Sequence, residues 1–238
     1  MGMGVAVDDH GNVFATVNNF VRLYGEEACG PDNVPSSVQR VTASGWTSVM
    51  TLPDGTFPNG LTTYAGTFYV ADSNGAIWSG PTGRTTAPTN PWYTSSLLDP
   101  TDETGIGAAD VAFHAGSVYV TSYAQGLLLR IPLADDGAAT KARIVAQDSR
   151  LDRADGLAFD ANGRAWITVN PRVDWAAMEQ VGGGSIAVVT PAGRVSIAAT
   201  PAESLDYPTE AVFDGQGTVY VANGSYFYGT PSLVAFTG

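Results

Sequence analysis

The chain has 238 residues, 44% of them hydrophobic and 14% charged, so it is long enough to enclose one sizeable core. Its formal net charge of −12 repels anionic phosphate backbones, which argues against a nucleic-acid partner and suits a solubilising acidic surface. A single cysteine, Cys29, excludes an internal disulfide and any metal site built from several cysteines.

Five segments of the sequence repeat one pattern of a short strand, a tight turn and a second strand. In chain order they are 3–17, 59–72, 109–122, 155–169 and 209–223. Their alignment places five residues, 46 to 56 positions apart, at one equivalent position: Gly4, Gly60, Asp110, Gly156 and Glu210. A period of roughly 40–50 residues with several short strands per unit is typical of propeller blades. The sequence therefore predicts one all-β domain over 1–238, a β-propeller of which this chain encodes five blades.

Further strands complete the repeats as four-stranded antiparallel blades, each running A–B–C–D. They are predicted from β-branched alternation in SSVQRVTA, WTSVMTL, LLLRIPL, ARIVA, SIAVVT and RVSIAA. The A–B turns DDHGN, DANGR and DGQGT place Gly or Asn where a tight hairpin needs positive φ.

The last repeat supplies only the strands EAVF, TVYVA and SLVAF. We therefore expect either a ring with an unusual seam or an additional N-terminal blade outside this chain. The outer edge left by SLVAF is open to pairing, so association of copies through a blade edge is also expected.

Propeller geometry sorts the links between strands onto two faces. The D–A and B–C links open on one face, where the residues just before strand A line the axial channel: Met3, Asn59, Ala109, Asp155 and Thr209. The long B–C links 18–36, 170–184 and 223–231 lie on the same face, and long loops on a rigid scaffold usually carry binding. They provide an aromatic rim expected to contact the ligand: Phe20, Tyr24, Trp175, Tyr226 and Tyr228. The long C–D link 80–93 is an exception on the opposite face.

The placement of the histidines narrows the chemistry. His10 and His114 both fall in A–B turns, on the face opposite the channel mouth, and Cys29 has no histidine on its own face. Nucleophilic mechanisms need a base within hydrogen-bond reach of the nucleophile, so a Ser-His-Asp or Cys-His site is not expected.

The two kinds of catalysis that remain are acid–base catalysis by carboxyl groups and catalysis by a bound metal ion. Asp155 is the candidate catalytic base or metal ligand, and Asn59 is a neutral oxygen ligand, with Asp110 and Glu210 as further candidates. The structural alternative is that these side chains cap turns through the neighbouring backbone.

The repeats PNGL…FYVADSNGAIW, ADGLAFDANGRAWITVN and PTEAVF…TVYVAN resemble the gluconolactonase / regucalcin (senescence marker protein) family, whose relatives include luciferin-regenerating enzyme and diisopropylfluorophosphatase. The segment GLLLRIPLADDGAATKARIVA is similar to its strand C–turn–strand D unit. The resemblance covers nearly the whole chain. It implies a six-bladed propeller with a calcium or zinc ion at the centre of one face.

The resemblance also implies metal ligands, residue by residue. Asn59 matches one Asn ligand and Asp155 matches the Asp of the Asp-Gly start of strand A. Ala109 stands at the second Asn position with Asp110 beside it, and the family's Glu would lie in a blade preceding Met1. The ligand set is therefore incomplete in this chain.

Three functions stay open. The first is a metal-assisted hydrolase of a small lactone or ester, as the resemblance implies. The second is a non-catalytic propeller that binds a small molecule or protein through its aromatic and acidic face, and the third is a metal-independent lyase or cyclase. The N-terminus shows no secretory signal and no apolar run approaches the roughly 18 residues of a membrane span, so we expect no membrane partner. The sequence leaves the cellular location of the protein open, and secretion of a longer form is one of the alternatives.

Overall fold

The structure is a computed structural model that describes residues 2–18, 35–174, 176–177, 179–200, 205–224 and 230–237. In this part of the chain the regular structure is almost entirely β, with two short 3₁₀ turns at Ser96–Leu98 and Ser149–Leu151. The strands form five meander sheets and one small ribbon, in which neighbouring strands are antiparallel. The prediction of an all-β propeller with five blades in this chain is confirmed.

The strands of each blade follow one another outward in chain order, with these bounds. Blade 1 contains β1 (Gly2–Val7), β2 (Val13–Val17), β3 (Ser37–Thr42) and β4 (Gly45–Thr51). Blade 2 contains β5 (Pro58–Tyr64), β6 (Thr67–Asp72), β7 (Ala76–Pro81) and β8 (Tyr93–Thr94). Blade 3 contains β9 (Ala108–His114), β10 (Ser117–Ser122), β11 (Leu127–Pro132) and β12 (Arg143–Gln147).

Blade 4 contains β13 (Ala154–Phe159), β14 (Ala165–Val169), β17 (Ser185–Val189) and β18 (Val195–Ala199). The small ribbon is inserted between β14 and β17, and it pairs β15 (Arg172–Asp174) with β16 (Glu179–Val181). Blade 5 contains β19 (Pro208–Phe213), β20 (Thr218–Asn223) and β21 (Ser232–Thr237). Blade 5 thus has three strands in the described part, in agreement with the sequence, whereas the ribbon lies inside a predicted loop.

The tight A–B turns have the backbone that their residues predict. Gly11 and Gly163 have φ of 78° and 71°, a left-handed conformation that glycine adopts without steric cost. The alternation along the flanking strands then directs one side chain in two toward the neighbouring blade.

The hydrophobic core is divided among the contacts between neighbouring blades. Four clusters of buried side chains lie between successive blades, built around Phe14 and Phe68, around Leu127, around Ile167 and around Val221. The inner strands β1, β5, β9, β13 and β19 also pack successively against one another. Blade-to-blade packing, rather than a single central core, therefore holds the fold together.

Close approach of the inner strands explains the glycines at the equivalent position of the repeats. A Cβ added to Gly156 would lie 2.6 Å from Glu210 Cα, and one added to Gly4 would lie 2.5 Å from the Asn59 carbonyl oxygen. Side chains have no room there, so blades with glycine at this position let the next strand A pass directly against the backbone.

A threonine in strand B links the inner strands of successive blades. Thr121 Oγ1 accepts from the Asp110 amide at 2.9 Å and donates to the Asp155 carbonyl oxygen at 2.7 Å. Thr16 Oγ1 similarly donates to the Asn59 carbonyl oxygen at 2.8 Å. These hydroxyls fix the starts of successive A strands relative to one another, and those starts line the channel.

Candidate active site

The channel mouth is built from residues that follow strand B and residues that precede strand A. The Gly107 amide donates to the Ser73 carbonyl oxygen at 2.7 Å, and the Arg153 amide donates to that of Tyr123 at 3.0 Å. Arg153 and Tyr207 have φ of 67° and 56°, a left-handed conformation that non-glycine residues seldom adopt. Such backbone persists where the surrounding structure fixes it, and it is enriched at functional sites.

Asp155 is the second residue of β13 and so lies inside strand A, not just before it as the sequence suggests, because the pairing of strands A and B begins at Ala154. A side chain from the end of the neighbouring strand holds it. Asn170 follows β14 and its Nδ2 donates to Asp155 Oδ2 at 2.8 Å. Burial raises the pKa of Asp155 to about 7, while the hydrogen bond from Asn170 works in the opposite direction. A carboxyl group with this pKa exchanges its proton near neutral pH, which suits a general acid or base.

Asp110 belongs to blade 3. In the repeat alignment it stands one position after the equivalent of Asp155, and it is only 5% exposed. Its Oδ2 accepts from the Leu157 amide at 2.7 Å. Burial raises the pKa of Asp110 to about 7, the charge of Asp155 adds to this rise, and hydrogen bonds from backbone amides oppose it. The side chain therefore has a structural contact and, at the same time, takes part in the electrostatics of the channel mouth.

Glu210 belongs to the same group of carboxyls. Its Oε1 accepts from the Ala211 amide at 2.8 Å. Burial raises the pKa of Glu210 well above its usual value, and the charges of Asp110 and Asp155 raise it further. The structure therefore brings three of the predicted residues into one cluster of mutually repelling carboxyls.

Asn59 lies on the channel wall formed by blade 2 and is 9% exposed. Its Nδ2 donates to Ser73 Oγ over a long 3.4 Å, and Ser73 Oγ donates to the Ala108 carbonyl oxygen at 3.3 Å. Asn59 thus repeats, in weaker form, the contact of Asp155 with Asn170: a side chain at the start of strand A bonds to one that follows strand B.

The residues that follow strand B are site residues that the sequence reasoning missed. Asn18 is 4% exposed, and its Oδ1 and Nδ2 are buried without a hydrogen-bond partner among the described residues, as is Asn170 Oδ1. Burial raises the pKa of Tyr123 well above its usual value, and its hydroxyl shares a hydrogen bond with Tyr207. The repeat alignment carries the signal, since the five equivalent residues are Asn18, Ser73, Tyr123, Asn170 and Gly224.

The predicted aromatic rim is not part of the described structure. The following residues lie outside the described ranges: Phe20, Tyr24, Trp175, Tyr226 and Tyr228. Cys29 lies outside them as well. The rim therefore stays a prediction.

His10 lies in the β1–β2 turn, as expected, whereas His114 is the last residue of β9, directly before the β9–β10 turn. The His10 amide donates to Asp8 Oδ1 at 2.9 Å within the β1–β2 turn. The His114 ring stacks on Phe159 of the next blade, with centroids 4.4 Å apart and planes 7° apart. These contacts give His114 a packing role.

The oxygen donors at the channel mouth fit a hard divalent cation in kind, because carboxylate and amide oxygens are the ligands such ions prefer. Asn170 Oδ1, buried and unpartnered within the described residues, is one amide oxygen left free for a cation. No group of three or more His, Cys, Asp and Glu side chains in the described ranges is placed to hold a metal. A cation here would therefore depend on amide and water oxygens besides Asp155.

The fold defines the protein as a β-propeller, and solved propeller structures superpose on it. It superposes on a gluconolactonase from Xanthomonas campestris with a TM-score of 0.65 and 14% identity, covering 94% of this chain and 69% of that one. It superposes on the calcium-binding protein regucalcin from Agrobacterium tumefaciens with a TM-score of 0.63 and 14% identity, covering 96% and 70%. The chain therefore has a gluconolactonase- and regucalcin-like propeller fold.

A lyase shares the same fold. Virginiamycin B lyase from Staphylococcus aureus superposes with a TM-score of 0.58 and 13% identity, covering 99% of this chain and 69% of that one. No model of a known protein family matches the sequence, and no curated protein matches it. At these identities the likeness concerns the fold, so function has to be argued from the site.

No helix among the described residues is both long and apolar enough to cross a membrane.

Proposed function

We propose that the protein hydrolyses a small lactone or ester at the channel mouth with the help of a divalent cation, calcium or zinc. The observation that carries the proposal is the Asp155 carboxyl, oriented by Asn170 and raised by burial to a pKa of about 7. A base with a pKa near the working pH combines a useful ionised fraction with adequate basicity. The fold shared with a gluconolactonase is consistent with this reaction.

In the proposed reaction the Asp155 carboxylate removes a proton from water as the water oxygen bonds to the carbonyl carbon. The ring C–O bond then breaks, and the Asp155 carboxyl returns the proton to the departing ring oxygen, so a lactone and water give one hydroxy acid. Asn170 is a positioning residue, since its Nδ2 fixes Oδ2 of the base at 2.8 Å. Asn59, Asp155 and the free Oδ1 of Asn170 would hold the cation, with Asp110, Glu210 or water completing its ligands. When bound, such a cation polarises the carbonyl group.

The test uses protein stripped with EDTA and assayed for acid release from δ-valerolactone, with calcium or zinc added back. We expect one of these ions to restore hydrolysis, and Asp155→Asn to lower the rate by about a hundredfold or more, because general-base catalysis contributes on that order. Burial alone raises the pKa of Asp155 to about 7, and a bound cation lowers it again by stabilising the carboxylate, so the rate should rise with pH and level off below pH 7. Calorimetry should also show weaker cation binding by the Asp155→Asn variant.

The matched control is Asp135→Asn, which makes the same charge change at an exposed residue between β11 and β12. It should keep the parent rate. Equal rates and equal cation affinities for Asp155→Asn and the parent protein would contradict the proposal.

A second candidate function is a cation-independent lyase. It is favoured by two neighbouring carboxyls, Asp110 and Asp155, whose pKa values burial raises to about 7, because elimination needs one group that removes a proton and one that donates one. The EDTA experiment separates the two functions. A lyase would release an unsaturated product at the same rate before and after the cation is removed.

A further inference from the structure

The outermost strand of blade 5 is only the third strand of its sheet. In the described part of the chain β21 pairs on one side alone, with β20. This pairing runs without a bulge from Ser232, opposite Asn223, to Thr237, opposite Thr218. The backbone N–H and C=O groups on the other side of β21 therefore form a straight edge to which a further strand can add.

The outermost strands of the other blades have features that hinder strand addition. β8 is two residues long, β12 begins with the charged Arg143, and the register shifts where β12 pairs with β11 and where β18 pairs with β17. Segment 82–86, which follows β7, crosses to blade 1 and covers the edge of β4. There the Thr86 amide donates to the Val49 carbonyl oxygen, and the Thr51 amide to that of Thr86, each at 3.0 Å. Short strands, charges, bulges and covering segments are the usual protection of a sheet edge.

Among the described residues β21 has none of these protective features. Its sequence SLVAFT contains no charged residue, no glycine and no proline. Leu233 and Ala235 are exposed on it. Uncharged strands of this composition readily pair with other strands. A second copy of the chain presents the same uncharged strand, so two β21 edges can meet without placing like charges opposite each other.

Symmetry restricts how two copies of β21 can pair. In an antiparallel pair related by a twofold axis, opposite residues share one face of the sheet, and side chains alternate between the faces along each strand. The two registers that pair the most residues therefore place the axis at Val234 or at Ala235. With the axis at Ala235, Val234 lies opposite Phe236 of the second copy, a favourable pair of a β-branched and an aromatic side chain. With the axis at Val234, Phe236 faces Ser232 instead.

We propose that two copies of this protein associate through β21, antiparallel and centred on Ala235, so that their three-stranded blades become one continuous sheet. The pair of Val234 and Phe236 then extends the cluster between blades 4 and 5, against which Phe236 packs. β21 is the strand of blade 5 farthest from the axis, so the contact leaves the channel mouth open. The association does not depend on the hydrolase proposal.

The first experiment is disulfide cross-linking of the full chain in a Cys29→Ser background. Opposite Cα atoms of an antiparallel pair lie roughly 4.5–5.5 Å apart, a distance that a disulfide spans. We expect Ala235→Cys to form a covalent dimer when oxidised glutathione is added, because the axis places this residue opposite its own copy. Leu233→Cys is the matched control, exposed on the same face of the same strand. It lies opposite Thr237, roughly 13 Å along the strand from its own copy, and should stay monomeric.

The second experiment measures reversible association of the parent protein and of Ala235→Lys by sedimentation velocity. We expect Ala235→Lys to raise the dissociation constant of the dimer by roughly tenfold or more, because it places two like charges opposite each other at the axis. Ala161→Lys is the matched control, since it adds the same charge at an exposed alanine between β13 and β14 and should associate as the parent does.

Three results would overturn the proposal. The first is cross-linking of Ala235→Cys that is no faster than that of Leu233→Cys. The second is equal association of Ala235→Lys and Ala161→Lys. The third is a parent protein that stays monomeric at every concentration, as it would if another segment of the chain covered β21.

Discussion

Asp110 keeps its carboxyl group inside the protein, beside Asp155, where burial raises the pKa of both groups to about 7. In the unfolded chain a carboxyl of this type titrates near pH 4. Between about pH 4 and pH 7 the folded protein therefore holds protons that the unfolded chain has released. Stability must fall as pH rises through this window, by up to about 1.4 kcal/mol per pH unit for each proton held.

We expect Asp110→Asn to reduce this pH dependence. An asparagine oxygen can still accept from the Leu157 amide, which Asp110 Oδ2 now does at 2.7 Å, while the titrating proton is gone. Thermal melts between pH 5 and pH 8 should show the melting temperature of the parent protein falling with pH, and that of the variant falling less.

Exposed carboxyls provide the control for this experiment. Hydrogen bonds from Gln216 and Thr218 lower the pKa of Asp214, so its contribution to stability is lost only in more acidic solution. Asp214→Asn should therefore keep the parent slope between pH 5 and pH 8. A parent melting temperature that stays level or rises from pH 5 to pH 8 would contradict the burial of these protons.

At the scale of the strands, the hydroxyl of Thr121 joins two A strands that line the channel. It is fully buried, and it satisfies both the Asp110 amide and the Asp155 carbonyl oxygen. Thr121→Val keeps the shape but leaves these two backbone groups without the hydroxyl. A buried group that loses its partner costs about 1–3 kcal/mol, which lowers the melting temperature of a domain this size by roughly 2–4 °C per kcal/mol.

Thr47→Val is the matched control, because Thr47 is exposed on β4 and the same hydroxyl is removed. It should melt within a degree or so of the parent, as surface substitutions usually do. If Thr121→Val melts no lower than Thr47→Val, the bridging role of the strand-B threonine is wrong.

The elements also show which features of the molecule a sequence reveals. Each A–B pair was predictable, because alternation along two strands and a glycine such as Gly163 in the turn between them are local signals. The ribbon β15–β16 was not, because strands of three residues are too short to show a period. The route of segment 82–86 to blade 1 depends on backbone hydrogen bonds with Val49 and Thr51, which leave no trace in side-chain pattern.

The residues of the candidate site also include some that the sequence predicts and some that it does not. Asp110, Asp155 and Glu210 were predictable because the repeat alignment places them where A strands begin near the axis. Asn170 was missed because its role depends on the end of strand B lying beside the start of strand A, a relation that exists only in the folded blade. The alignment of strand-B ends contains that information once the blade geometry is known.

At the scale of the whole molecule, one pair of inner strands differs from the others. β1 packs on β5, β5 on β9, β9 on β13 and β13 on β19, but among the described residues β19 and β1 form no comparable contact. Apolar side chains are exposed on both sides of this opening. Val5 and Val7 on β1 are 61% and 58% exposed, and Val212 on β19 and Leu233 on β21 are 58% and 67% exposed. Their alternating neighbours, such as Ala6 and Ala211, face the packed blades instead.

Exposed apolar faces of this kind favour association, so we expect the protein to self-associate as its concentration increases. Salt should promote association, because it screens the repulsion between copies that each carry a net charge of −12. Val212→Lys should weaken association, since it places a charge on the open face. Sedimentation velocity over a range of protein and salt concentrations measures both effects.

Val181→Lys is the matched control, because Val181 is 56% exposed on β16, away from the open face. A protein that stays monomeric at every concentration and salt level, and whose Val212→Lys variant behaves as the parent does, would show that these faces do not drive association.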